Sequence, residues 1–153
     1  MFDNELTDSN SKWQNLYADD SFASKKYRYN EEGNVVNENG ELVGGAVRYH
    51  GKKYVFWGKE QIDIYLYRPS FKNPERLYLT IGHELVHVDL HYLGYHDHSK
   101  HEATAYKWSS EQAKAWGWTG NVNDYNARVR FYGTPYPYQR SIRSDRPINP
   151  FRR

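Results

Sequence analysis

Thr80-Ile81-Gly82-His83-Glu84-Leu85-Val86-His87-Val88-Asp89-Leu90-His91 is the stretch from which the rest of the chain is read. Inside it, His83-Glu84-Leu85-Val86-His87 spells H-E-x-x-H. Two histidines four residues apart on a helix project from one face, a turn apart. Both imidazoles can then reach one Zn²⁺ at roughly 2.0–2.1 Å. Glu84 follows the first histidine too closely to share the ion comfortably. It is placed instead to take a proton from a water on the metal. Five residues can match by chance, and this chain holds seven His, so the flanking sequence has to decide.

The flanks read as a helix. Asn73-Pro74 is an N-cap followed by proline at the first helical position, where its missing N–H costs nothing. Glu75 suits the positive end of the helix dipole, and Gly94 is a left-handed stop. A single helix over Pro74–Leu93, roughly 30 Å long, is expected. At 100° per residue, Ile81, Leu85, Val88 and Tyr92 form one apolar stripe, and Leu79, Val86, Leu90 and Leu93 a second. A helix apolar on two sides is a central buried element, so its polar side should face a cleft. Val86 inside the motif fits that setting, because a surface match would more often carry a charge there.

Composition narrows the function classes. A chain of 153 residues is most simply one domain. A formal net charge of +2 gives no strong electrostatic pull toward nucleic acid. With no cysteine there is no disulfide, no thiol nucleophile and no zinc finger, which leaves metal binding to His and carboxylates. No apolar run is long enough to span a bilayer. Met1-Phe2-Asp3-Asn4-Glu5 lacks the basic and apolar regions of a Sec signal. Cytoplasmic residence, or export by a specialised secretion system, is the expectation. Aromatics make up 17% of the chain, with 15 Tyr and 5 Trp, so the core should be built partly from them.

Along the chain, residues 1–24 read as a loose polar leader, with Trp13, Leu16 and Tyr17 on one helical turn. Lys26–Asn30 reads as a short strand before a turn at Glu31-Glu32-Gly33, and Asn39-Gly40 is a second turn signal. Val47–His50, Gly51-Lys52 and Lys53–Trp57 read as a tight hairpin. Gln61–Tyr67 alternates, with Ile62, Ile64 and Leu66 inward and Asp63, Tyr65 and Tyr67 outward. Strands followed by a long helix imply α+β, with the helix laid on a twisted, largely antiparallel sheet. After the loop Tyr95-His96-Asp97-His98, a second helix is expected over Ser99–Trp116, buried through Ala103, Tyr106, Ala113 and Trp116 and ended by Gly117. From Thr119 the signal fades. Tyr132–Arg153, rich in Pro, Arg and Tyr, should be extended and lie along the surface.

A catalytic zinc usually takes three protein ligands and keeps one position for water. His91 is too far to be the third, since it lies roughly 12 Å from His83 along the helix. Glu102 is the leading candidate, with the loop before it able to fold the second helix back. Ser99-Lys100-His101-Glu102 is also a capping box, in which Glu102 would bond the backbone of Ser99 instead. His98, His101, His96 and Asp97 stand in reserve. Asp89 points away from the ligand face and reads as a solvated surface residue. Tyr106, Tyr95, His96 and His98 are candidates to donate to a developing oxyanion.

His83-Glu84-Leu85-Val86-His87 followed by Glu102-Ala103 resembles the zincin metallopeptidases of the Glu-type. His91 and Gly94, downstream of the motif, extend the similarity to small zinc peptidase effectors of bacterial pathogens and to toxin domains at the C-termini of polymorphic toxins such as Rhs proteins. The resemblance covers roughly residues 60–116. Leu90 stands where the three-histidine family has its glycine, and Met1 is the only methionine, so that family's Met-turn is missing. The N-E-x-x-S-D of thermolysin-like enzymes is absent too.

The resemblance implies zinc held by His83, His87 and Glu102, Glu84 as general base, and hydrolysis of a peptide bond in a protein or peptide substrate. The substrate would lie beside an edge strand, Gln61–Tyr67. A cognate inhibitor or immunity protein is an implied partner. The alternatives are a catalytically idle zinc-binding module and an aromatic, basic protein-interaction module.

Overall fold

The computed structural model describes residues 15–17, 26–52 and 60–147. The fold is α+β, with five strands preceding three α-helices among the described residues. The chain divides into two compact units, 1–72 and 73–153, and each is described by itself.

In the first unit, β1 (Asn15–Tyr17), β5 (Glu60–Leu66) and β4 (Gly45–Lys52) form a sheet in that order. β1 runs parallel to β5, while β4 is antiparallel to it, with Val47 opposite Ile64 and Tyr49 opposite Ile62. The sheet is therefore mixed. The helical turn expected through Leu16 and Tyr17 is corrected to a strand, and Trp13 lies outside the described residues. β2 (Arg28–Tyr29) and β3 (Val35–Val36) make a small hairpin. Its turn is set by Asn30, whose side chain accepts from the N–H groups of Glu32 and Asn34 at 3.0 and 2.9 Å. Asn37 repeats the device with Asn39 and Glu41, both at 3.0 Å. Each turn ends on a glycine in the left-handed region, Gly33 and Gly40.

Three further expectations for this unit are corrected. β4 runs through Gly51 and Lys52, where a turn was expected, and Lys52 pairs with Glu60 across a register shift. The expected return strand at 53–57 lies outside the described residues. Asp63, Tyr65 and Tyr67 are buried together with Ile62, Ile64 and Leu66, so residues 62–67 have no solvent face. The reason lies in the aromatics: Tyr65 and Tyr67 stack at 6.4 Å, Tyr27 packs edge-on against Tyr67, and Val35 and Ala46 complete the cluster. Finally, β5 is the middle strand, paired on both sides. It is not an edge open to a substrate strand.

In the second unit, α1 spans Pro74–Tyr92. The Asn73 side chain accepts from the Arg76 N–H at 2.8 Å, and Pro74 takes the first position. The helix closes at Gly94 (φ +82°), where Tyr95 N–H donates to the Leu90 carbonyl. α2 spans His98–Ala115 and closes in the same way at Gly117. Its N-cap is Asp97, which accepts from the Lys100 N–H at 3.0 Å. The capping box expected at Ser99 is thus corrected. The helix starts one residue earlier, and Glu102 is left a full turn inside it, released from any capping role.

α3 (Val122–Tyr132) was not anticipated from the sequence. It buries Val122 with Leu79, Val86 and Leu90 of α1, Ala105, Trp108 and Ala113 of α2, and Trp116 at the C-cap of α2. The stripes expected on α1 are buried except at their ends, where Tyr92 and Leu93 are exposed just before the chain turns away at Gly94. Gly82 decides how closely α1 and α2 approach: a Cβ there would fall 2.0 Å from a ring carbon of Trp108.

Residues 133–147 have no regular secondary structure, in keeping with an irregular tail, but they are strapped down. The indoles of Trp108 and Trp116 donate to the carbonyls of Ser141 and Asp145. Gln112 donates to the Arg143 carbonyl and accepts its N–H, both at 2.7 Å. Asp89 accepts from the Tyr138 hydroxyl and pairs with Arg140, so its reading as a solvated residue is corrected. No helix among the described residues is long and apolar enough to cross a membrane.

Candidate metal centre

α1 presents His83 and His87 on one face, one turn apart, and α2 folds back to set Glu102 against both. The two Nε2 atoms are 3.3 Å apart. Glu102 Oε1 lies 3.3 Å from His87 Nε2, and Oε2 lies 3.6 Å from His83 Nε2. These residues form a group able to hold a metal ion. Two ligands at roughly 2.0–2.1 Å from one tetrahedral ion would sit roughly 3.3–3.4 Å apart. The separation of the two Nε2 atoms and that of His87 from Oε1 match this length, while His83 meets the other carboxylate oxygen at the slightly longer 3.6 Å. The side chains are 12–16% exposed, so water can supply little of the solvation three polar groups need.

The hydrogen bonds behind the ligand atoms fit one tautomer of each histidine. Ser109 donates its hydroxyl to the Ala105 carbonyl at 3.0 Å, so its oxygen is left to accept from His83 Nδ1–H, 3.4 Å away. With the proton on Nδ1, the Nε2 lone pair of His83 points at the centre. His87 Nδ1 lies 3.2 Å from His101 Nδ1. The residues present therefore fit a cation: two imidazole lone pairs and a carboxylate converge with no proton donor among them.

The charges agree with the geometry. Burial works to raise the Glu102 carboxyl pKa, but the two histidines beside it, His87 foremost, hold it well below the usual carboxylate range. Glu84 is buried at 6% exposure, and burial pushes its carboxyl up to about 7, with His87 opposing and Glu102 assisting. His101 is held below its ordinary value by burial, against the pull of the Tyr95 carbonyl.

The reserves fall elsewhere. Asp97 caps α2, the His96 ring packs on His91, and the His98 ring on Tyr132. His101 is close, but both of its nitrogens are engaged away from the Nε2 pair. His91 meets Tyr92 and His96 and is not in the metal-holding group. Of the oxyanion candidates, Tyr106 lies against the His83 ring at 4.6 Å, whereas Tyr95 is stacked on Tyr136. Burial, helped by Glu102, raises the Tyr106 pKa, so it stays a phenol and a donor. Tyr132 stacks on Tyr106, and the Arg128 guanidinium lies 5.8 Å from its ring centre.

Sequence reasoning missed Ser109 as a support for His83. The signal was present, since Ser109 is seven residues after Glu102, two turns on along the same helix face. Compared with known proteins, the chain matches no family model, no curated protein and no solved structure.

Proposed function

We propose that this chain is a zinc-binding domain whose centre is His83, His87 and Glu102. The observation that carries this reading is the convergence of His83 Nε2, His87 Nε2 and the Glu102 carboxylate at 3.3–3.6 Å, with the outer nitrogens of both histidines turned away from it. Nitrogen and carboxylate donors without thiolates suit Zn²⁺, and three protein ligands leave a fourth position for water, as in catalytic sites. Zinc content of the purified protein, measured on wild type and on Glu102→Ala, tests it. About one ion per chain, lost in the variant, is expected; a wild type that takes up no zinc overturns the reading.

Metal holding is the function the geometry supports best, and it is common to two finer readings that divide at Glu84. In the hydrolytic reading the domain is a peptidase of the zincin kind, as the motif resemblance suggests. A zinc ion at the centre would supply a water of lowered pKa and polarise a carbonyl. Glu84, its carboxyl near 7, would take the proton from that water and pass it to the leaving amine. Tyr106, a phenol beside His83, would donate to the developing oxyanion. A protein substrate, a role as effector or toxin, and a cognate inhibitor belong to this reading.

In the idle reading the zinc centre ties α1 to α2 and turns nothing over. The burial of Glu84 and of the three ligands favours it, since a substrate carbonyl must reach the ion. Glu84→Gln separates the two. Peptide-bond cleavage in wild type that vanishes in a zinc-replete variant supports the peptidase; no cleavage by zinc-loaded wild type across a broad peptide library leaves the idle module.

A further inference from the structure

Among the described residues His101 is the one buried histidine outside the ligand set, and its surroundings define both of its nitrogens. Nε2 faces the Tyr95 carbonyl, which can only accept. That nitrogen therefore carries a proton and donates it. In the neutral ring, Nδ1 is then a bare lone pair, and it faces His87 Nδ1 at 3.2 Å. A bond across that gap needs its proton on His87. With Nδ1 protonated, His87 keeps Nε2 as a lone pair, 3.3 Å from both His83 Nε2 and Glu102 Oε1. With His101 neutral, the series from Tyr95 C=O through His101 to His87 has one consistent proton arrangement, and it is the one that aims His87 at the centre.

The ring of His101 is also fixed in place. It lies nearly parallel to the His87 ring, with centroids 5.4 Å apart and planes 16° apart. Tyr136 packs edge-on against it at 6.0 Å. Tyr136 is itself anchored, its N–H donating to Thr104 Oγ1 at 2.9 Å and its hydroxyl accepting from Asp97 N–H at 3.0 Å. The loop after α1, the start of α2 and the strap after α3 thus converge on one imidazole.

We propose that His101 is a positioning residue for the zinc centre, fixing the tautomer and ring orientation of His87 by accepting its Nδ1–H while donating to the Tyr95 carbonyl. This rests on the zinc reading above and assigns His101 a role other than ligand. Groups that orient a ligating histidine change metal affinity by roughly 10–100-fold when lost.

The test compares zinc affinity, by competition with a chromophoric chelator, among wild type, His101→Phe and His101→Asn. Phe keeps an aromatic ring and removes the acceptor. Asn restores an acceptor oxygen near the position of Nδ1. The expected result is affinity weakened roughly 10–100-fold in His101→Phe and largely recovered in His101→Asn. Equal affinity in wild type and His101→Phe overturns the proposal while leaving the zinc reading intact. Equal losses in both variants, with α-helical circular dichroism unchanged, overturn it in favour of packing alone. No zinc uptake by wild type overturns both. If His101→Phe does not fold, long-range ¹H–¹⁵N spectra of zinc-loaded wild type labelled at histidine decide: His101 protonated at Nε2 with His87 protonated at Nδ1 supports the proposal, and His101 protonated at Nδ1 overturns it.

Discussion

Helix α1 carries two polar clusters that solve the same problem in opposite ways. Around Asp89, the carboxylate meets a hydroxyl donor, Tyr138, and a guanidinium, Arg140. Charge and hydrogen-bonding capacity are met from within the chain. Around His83, His87 and Glu102, the atoms that face one another are all acceptors when the outer nitrogens keep their protons and donate to Ser109 and His101. The first cluster is complete as it stands, whereas the second is a group able to hold a metal ion. A buried polar group is costly unless partnered, so an unbalanced cluster is a stronger sign of a bound ion than the number of histidines in it.

Removing the ion or a ligand should therefore have the largest effect. Chelation should lower the unfolding temperature of wild type, because zinc at 1,000 times its dissociation constant adds about 4 kcal/mol to the folded state. Glu102→Ala should lose the zinc and the response to chelator together. A variant that still responds as wild type does would break the comparison.

Glu84 tests the centre through acid–base behaviour. Its folded-state pKa of about 7 lies above the ordinary 4.5, so the folded protein holds a proton through that window that the unfolded chain has released. In metal-free protein, stability should fall as pH rises from 4.5 to 7, by up to about 3 kcal/mol. Glu84→Gln, neutral throughout, should flatten that slope in denaturant melts at pH 5 and pH 8. Under the peptidase reading it should also reduce turnover by roughly 10²–10⁴-fold with zinc retained.

Gly82→Ala reaches the centre indirectly. Its methyl would enter the Trp108 ring, whose indole is tied to the Ser141 carbonyl, so α1 and α2 must separate. A loss of about 1–3 kcal/mol is expected by thermal melting, with weaker zinc binding because Glu102 moves with α2. Unchanged stability would mean that Trp108 re-packs freely.

The smallest effect belongs to the self-sufficient cluster. Tyr138→Phe removes one hydrogen bond to Asp89 and leaves Arg140, at a cost of about 1 kcal/mol, with zinc affinity unchanged. A drop in zinc affinity would show that the two faces of α1 are coupled.

The helical frame was legible because its signals are local. Asn73-Pro74 and Gly94 bound α1 in the chain itself, and the four-residue spacing puts His83 and His87 on one face whatever surrounds them. Other features were not legible, for reasons equally physical. Asp97 and Ser99 are both acceptable caps two residues apart, and the backbone chose Asp97. α3 holds three Arg and Asp residues and two Asn in eleven positions, with one buried residue, so it has no apolar stripe to announce it. Tyr65 and Tyr67 alternate like an outward face until Tyr27 and the small hairpin cover them.

By itself the sequence determined a helix with two imidazoles on one face and the Glu84 carboxyl to one side of them, because both follow from 3.6 residues per turn. Tertiary structure alone decided what those groups meet. The fold-back of α2 sets Glu102 within 3.3 Å of His87, Gly82 admits Trp108 so that the two helices approach closely, and Ser109 and His101 turn the outer nitrogens away. Spacing along a helix fixes direction, but the proton arrangement that makes a histidine a ligand depends on partners 14 and 26 residues away in the chain.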